Sequence, residues 1–249
     1  MGNIFSVEGK KIMVTGACGG LGRSVAKGLK EAGAIVCSMD FSDKLEEIAK
    51  EDSIDYAIKV NLLNREDLNK AFNEALEKLG GQVDVLLNFA GIQRRHLCEE
   101  FPIEDWDKVI EVNLTAVFEM SQLAGKCMLK QGHGKIVNVA SMLSYFGGKN
   151  VPAYAASKGG VMQLTKALAV AWAGRNIQVN AVAPGYMATD MNTALMQDPV
   201  RSVEILNRIP AKRWGTGDDL LGTIIFLSSE ASDYLSGTII PVDGGYLIS

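Results

Sequence analysis

Short apolar runs of strand length alternate with longer amphipathic stretches along the whole chain, and that alternation restricts the fold more than any other feature. Lys11–Thr15, Ala34–Met39, Tyr56–Val60, Val83–Leu87, Lys135–Val139, Ile177–Val182 and Gly237–Val242 read as strands. Between them Leu21–Ala32, Arg65–Leu79, Trp106–Lys130, Pro152–Ala173 and Asp218–Ser228 read as helices, and Met187–Arg213 as helical pieces and loops broken at Asp198-Pro199 and Pro210. Continuously apolar strands separated by helices predict a parallel sheet covered on both faces, with right-handed crossovers. No linker, low-complexity segment or short repeat interrupts the pattern, so residues 1–249 are expected to form one α/β domain.

Composition excludes several classes of partner. The 249 residues carry a net charge of −4 without a basic run, which argues against nucleic acid and anionic membranes. No apolar run reaches the length of a membrane span, and the first residues lack the basic and apolar regions of a signal peptide. The 4 cysteines are scattered with no Cys-x-x-Cys and only 2 histidines accompany them, so no metal site is expected. Reduced, buried thiols of a cytoplasmic protein are the expectation.

The first predicted strand runs into Gly16-Ala17-Cys18-Gly19-Gly20-Leu21-Gly22, which opens the first helix. Glycines at such a turn let a pyrophosphate approach the backbone, and the helix N-terminus offers free N–H groups and a favourable dipole. The spacing Gly-x-x-x-Gly-x-Gly is one residue longer than the usual dinucleotide fingerprint, and a plain glycine turn without a ligand is the alternative. Asp40 ends the second strand about 20 residues on, where an acid can bond the adenosine ribose hydroxyls. Its charge would repel a 2′-phosphate, and no cation at Cys18, Gly19 or Phe41 offsets it, which favours NAD over NADP. A turn-capping role is the alternative for Asp40.

Tyr154 and Lys158 lie four apart in a predicted helix and share a face. A phenol has a pKa of roughly 10, and a neighbouring ammonium favours the phenolate, giving a residue able to exchange a proton with an alcohol or ketone. Alone, such a pair is weak.

Its companions make the case. The glycine loop, Asn88-Phe89-Ala90-Gly91, Asn113, Ser141, the Tyr154/Lys158 pair, Pro184-Gly185 and Val242-Asp243-Gly244-Gly245 occur in an order that resembles the short-chain dehydrogenase/reductase family across essentially the entire chain. The resemblance implies a Rossmann-type doubly wound sheet of order 3-2-1-4-5-6-7. It implies Tyr154 as general acid/base and Lys158 as the group that lowers its pKa and bonds the nicotinamide ribose. Ser141 would orient the reacting oxygen, and Asn113 would hold a water that relays the proton. It places Gly16, Gly20, Leu21, Gly22 and Asp40 on the cofactor. Asn61 and Leu62 would border the adenine, Asn88 the nicotinamide ribose through its backbone, and Met187 and Thr189 the carboxamide and phosphates. It further implies a mobile substrate lid over 187–213 and a homotetramer packed through the Trp106–Lys130 and Pro152–Ala173 helices and the last strand. Two positions depart from the family pattern: Phe89 stands where a second asparagine is usual, and Asn61 where an aspartate is usual.

Gly91–His96, Ser141–Ser144, Ala183–Thr189 and Arg208–Gly215 are similar to the sugar-acid members of that family. An arginine binds a carboxylate through two parallel bonds, and Arg94 follows the fourth strand on the crevice side of such a sheet, so it is the candidate carboxylate ligand. A subunit-interface or surface role is the alternative for Arg94, and a structural partner is the expectation for the loop residue His96. A 3-oxoacyl reductase or polyol dehydrogenase on the same scaffold is the competing substrate assignment. The complete Asn113/Ser141/Tyr154/Lys158 set argues against a non-catalytic sensor. An esterase is disfavoured because Ser157 lies in a helix and both histidines precede it.

Overall fold

The computed structural model describes residues 2–249. Seven parallel strands form one sheet in the order β3-β2-β1-β4-β5-β6-β7. The strands are β1 Lys11–Thr15, β2 Ile35–Asp40, β3 Tyr56–Lys59, β4 Val85–Asn88, β5 Gly134–Val139, β6 Ile177–Pro184 and β7 Ile239–Val242. Side chains alternate between the two faces, and both faces are buried. Met13, Cys37, Met39, Leu86 and Ile136 point into one core with α3 Arg65–Lys78, α5 Ala116–Gln131 and α6 Pro152–Trp172. Ile12, Val14, Val36, Val85, Leu87 and Val137 point into the other, against α1 Gly20–Glu31 and α9 Gly217–Ser228. Both faces are apolar because both carry helices, which is why these strands read as unbroken apolar runs.

Two elements differ from the sequence expectation. A short helix, α2 Leu45–Glu51, lies between β2 and β3; it has seven residues and no side-chain N-cap, too little for periodicity to reveal. The predicted helix 106–130 begins earlier, as α4 Ile103–Ile110, and passes through a π turn at Glu111–Thr115 before continuing as α5. The Ala116 N–H reaches back to the Glu111 carbonyl, five residues away. Such an insertion rotates the following side chains and often marks a functional position. Here it holds Asn113, which is fully buried.

The carboxyl ends of β1, β2, β4, β5 and β6 deliver the glycine loop, Asp40, Asn88, Ser141 and Pro184-Gly185 to one edge of the sheet. The segment between β6 and α9 crosses that edge as two short helices, α7 Thr193–Gln197 and α8 Pro199–Arg208. Asp198 caps α8 by accepting from the N–H groups of Val200 and Arg201, which explains the break at Asp198-Pro199.

Candidate active site

The glycine loop folds for lack of side chains. Gly16 has φ +70°, and a Cβ there would lie 2.6 Å from the Ala90 backbone. A Cβ on Gly22 would lie 2.2 Å from the Gly16 carbonyl oxygen. No side chain caps α1, so the N–H groups of its first turn remain available to an anion. Thr189, from the far side of the crevice, comes within 3.3 Å of where a Gly20 Cβ would stand. Asp40 is buried, and backbone groups hold its carboxylate in place. The Cys18 N–H donates to Oδ2 at 2.9 Å and the Ser42 N–H to Oδ1 at 3.0 Å. This uncapped, side-chain-free cradle beside a fixed carboxylate fits a dinucleotide pyrophosphate and ribose.

The remaining cofactor candidates divide by how their groups are used. Asn61 is exposed; its N–H donates to Asp67 and its Oδ1 accepts from the Leu63 N–H, while Leu62 packs into the core edge. The Asn88 amide is spent inside the sheet, donating to Asn138 Oδ1 at 2.9 Å and Ser121 Oγ at 3.2 Å. That leaves its backbone at the sheet edge, while its side-chain amide nitrogen is committed inside the sheet. Phe89, at the position of the missing asparagine, packs into the core shared by α1 and α9. Met187 is buried, pairs with Gly215 across the crevice and has its carbonyl bound by Asn192.

Ser141, Tyr154, Lys158 and Asn113 come together from β5, α6 and the π turn. Ser141 leaves the end of β5 and caps a single turn, Met142–Ser144; its Oγ accepts from the Leu143 N–H while Ser144 Oγ accepts from the Ser141 N–H. Ser144 Oγ also donates to the Lys158 carbonyl at 2.7 Å, tying the serine turn to α6. The spacing Ser-x-x-Ser carried that signal, and Ser144 is a positioning residue the sequence reading passed over. Ser141 is the polar side chain that neighbours the Tyr154 hydroxyl. Lys158 Nζ lies 5.7 Å from the Tyr154 ring centroid and donates to the Val139 carbonyl at 2.6 Å. Asn113 donates to Ile92 O and Ser157 Oγ and accepts from the Ile92 N–H at 2.8 Å.

The electrostatics correct one expectation. Burial raises the Tyr154 phenol above its ordinary value, with Ser141 opposing it, and burial lowers the Lys158 ammonium to about 8. Burial outweighs the lowering influence, so the phenol as it stands is not depressed. Helix spacing reveals the neighbour but not the desolvation that both groups suffer.

Arg94 is half-exposed, with Nε 3.7 Å from Asp105 and one guanidinium N–H donated to the Gln93 carbonyl. His96 sits 2.7 Å from the other Asp105 oxygen, edge-on to Phe101, with its N–H on the Asn150 carbonyl. His96 thus has the structural partners expected of it, and the same acid draws Arg94 toward α4.

A glycine cradle, a carboxylate held at the end of β2 and a serine–tyrosine–lysine set at one sheet edge define a dinucleotide-dependent oxidoreductase. The short-chain dehydrogenase model described as enoyl-(acyl carrier protein) reductase matches residues 16–247. The chain belongs to the short-chain dehydrogenase/reductase family. It is 45% identical over 247 residues to a 2-dehydro-3-deoxy-D-gluconate 5-dehydrogenase of Bacillus subtilis (strain 168), covering 98% of this chain and 96% of the relative. A structure from Beutenbergia cavernae, with NADP bound at low occupancy, superposes with a TM-score of 0.96 at 43% identity over 99% of this chain and 100% of that one. A gluconate 5-dehydrogenase from Burkholderia cenocepacia J2315, in complex with NADP and tartrate, gives a TM-score of 0.92 at 37% identity over 99% and 98%. Among the described residues no helix is long and apolar enough to cross a membrane.

Proposed function

We propose that the protein is an NAD-dependent dehydrogenase of the 2-dehydro-3-deoxy-D-gluconate 5-dehydrogenase or gluconate 5-dehydrogenase type, interconverting a secondary alcohol and a ketone on a sugar acid. The observation that carries this reading is the meeting of Ser141, Tyr154 and Lys158 at the carboxyl end of β5, with Lys158 Nζ 5.7 Å from the Tyr154 ring centroid one turn along α6. Tyr154 takes the alcohol proton in oxidation and returns it in reduction. Ser141 fixes the reacting oxygen, and its own position is set by Ser144. The protonated Lys158 stabilises the phenolate as it forms. Both amide hydrogens of Asn113 are engaged, leaving a lone pair on Oδ1. That oxygen and Lys158 Nζ both border the open side of Gly91, where a relaying water is placed in this reading.

The dinucleotide, when bound, supplies or accepts the hydride. Gly16, Gly20, Leu21 and Gly22 cradle its phosphates, with Thr189 and Met187 closing from the other side. Asp40 takes the adenosine ribose, Asn61 and Leu62 border the adenine, and Asn88, Tyr154 and Lys158 face the nicotinamide ribose. The carboxylate of Asp40 supports NAD over NADP, because its two backbone donors keep a negative charge where a 2′-phosphate would sit. Arg94, the candidate carboxylate ligand of the sequence, already faces Asp105, so the substrate carboxylate is left to be assigned below. The segment 187–213 acts as the lid of a single catalytic domain. In this reading the protein works as a homotetramer in the cytoplasm, packed through α5 and α6, whose exposed Phe118 and Val170 offer apolar surface for such contacts.

NADH absorbance tests the reading with a panel of sugar acids, keto-deoxy acids, polyols and 3-oxoacyl thioesters, each with NAD and NADP. Turnover should be greatest with a sugar acid and NAD. Tyr154→Phe should lose about 10²- to 10⁴-fold in kcat, the usual worth of a general acid/base; undiminished turnover refutes the mechanism.

A further inference from the structure

A sugar acid must be held at its acid end as well as at its reacting carbon. Most arginines here are already matched to a carboxylate. Arg23 meets Asp52 at 2.6 Å, Arg65 meets Glu111 at 3.2 Å, Arg201 meets Glu204 at 3.2 Å, and Arg213 meets Asp219 at 2.6 Å. Arg94 faces Asp105. Arg175 lies just before β6, at the opposite edge of the sheet from Ser141.

Arg208, in the last turn of α8, pairs with no acid among the described residues. Its guanidinium carbon instead lies 4.2 Å from the Tyr246 ring centroid and 5.6 Å from that of Phe146. Both rings pack beside the segment that leaves Ser141. Phe146 is on the segment that begins at Ser141, and Tyr246 packs in one apolar cluster with Met142, the residue that follows Ser141. The platform is fixed independently of Arg208. Tyr186, which follows Pro184-Gly185, sets its ring edge-on to Tyr246 at 5.2 Å. The backbone of Arg208 is fixed too: Ser249 Oγ donates to its carbonyl at 2.9 Å, and the Ala211 N–H donates to Gly244 O at 3.0 Å. A guanidinium stacked on an aromatic face keeps its N–H edges free, which is the fork that a carboxylate accepts.

We propose that Arg208, stacked on Tyr246, is the residue that reads the substrate carboxylate and so selects acids over neutral polyols. This rests on the sugar-acid reading above. In such a substrate the carboxylate carbon is four bonds from C5, so its receptor belongs one side-chain layer away from Ser141 and Tyr154 rather than against them. Arg208 meets that requirement through the Met142 cluster. Arg95 is exposed with neither an acid nor a ring against it among the described residues, so nothing fixes its direction.

The experiment compares a sugar acid with its uncharged amide in the wild type and in Arg208→Met, Arg208→Ala, Arg208→Lys and Arg94→Ala, reading kcat, KM for each substrate, KM for the dinucleotide and Tm. Arg208→Met keeps an apolar side chain over Tyr246, so it remains informative if Arg208→Ala fails to fold. Loss of a charged pair should raise KM for the acid by about 10- to 100-fold. The preference for acid over amide should collapse, and Arg208→Lys should recover part of it. KM for the dinucleotide should stay near the wild-type value. An unchanged preference in Arg208→Met, or its collapse in Arg94→Ala instead, overturns the proposal. A wild type that turns over no sugar acid overturns the underlying function as well, which separates the two failures.

Discussion

A buried lysine meets each end of strand β5, Lys135 from within the strand and Lys158 from α6, and the two are treated differently. At its start Lys135 has three partners: Asp233 at 2.8 Å, with Gln178 and Ser232 each at 3.2 Å. At its far end Lys158 reaches the last residue of the strand, Val139, and has that carbonyl alone. Burial lowers the pKa of both, but only Lys135 has an acid to oppose the shift. A buried ammonium with three partners locks a structure together. One with a single carbonyl is a destabilising group that the fold retains, as expected where the charge is needed for chemistry. The contrast supports the chemical role proposed for Lys158 independently of any relative.

Replacing each lysine should therefore move activity and stability in different directions. Lys158→Met should reduce kcat by about 10²-fold or more, since the phenolate loses its neighbouring cation. It should also raise Tm, because it removes the desolvation of an ammonium whose pKa falls from 10.5 to about 8. That shift corresponds to about 3 kcal/mol as an upper bound, before the lost bond to Val139 is subtracted. A Tm at or below the wild-type value would show that Lys158 is structurally needed, and would erase the contrast. Lys135→Ala should do the reverse. It leaves the buried Gln178 Oε1 without its donor and removes one bond to Ser232, and should lower stability by about 1–3 kcal/mol in a urea titration, with kcat per folded molecule unchanged.

The pH dependence of the Lys158→Met gain has a definite sign. The folded pKa lies below the unfolded one, so the unfolded chain binds more protons between them and wild-type stability from this group rises with pH there. Below about 8 the lysine is charged in both states and the full cost of burial is felt. As pH climbs from about 8 toward 10.5 that cost disappears, so the Tm advantage of Lys158→Met should shrink across this window. Tyr154, whose pKa is raised, acts oppositely and only above its ordinary value of 10: the folded state then keeps a proton the unfolded chain releases. Paired melts from pH 7 to 10 would show the trend; a constant gap would mean that Lys158 titrates normally in the folded protein.

This contrast was only half legible in the sequence. The face shared by Tyr154 and Lys158 follows from helical spacing, and the strand that places Ser141 follows from its apolar run. Lys135 gave no signal, because one lysine at the start of a strand looks solvated, and its partners Gln178, Ser232 and Asp233 come from two other parts of the chain. The same limit applies to Arg208 and Tyr246, which only the packed fold brings together. Sequence pattern reports elements and local faces. It does not report desolvation, which is why the spacing of Tyr154 and Lys158 suggested a lowered phenol and the packed site shows a raised one. The π turn at Asn113 was hidden for a related reason: one inserted residue leaves the amphipathic pattern of the helix nearly intact.

The smallest expected effect is the most exacting test of the Lys135 half of the comparison. Among the described residues Asp233 supplies the only charge facing Lys135 within ion-pair distance, but its side chain is 60% exposed while that of Lys135 is 8% exposed. A carboxylate so open to water is strongly screened, and exposed pairs are worth about 0–1 kcal/mol. The lysine is instead desolvated against neutral Gln178 and Ser232, which themselves lie buried and need its donors. Asp233→Asn keeps an oxygen acceptor at the same place and should lower stability by less than about 1 kcal/mol, well short of Lys135→Ala. The difference between those two variants measures how much of the lock is neutral hydrogen bonding. If Asp233→Asn were as damaging as Lys135→Ala, the charge would be holding that end of β5, and the two lysines would differ simply in having or lacking an acid.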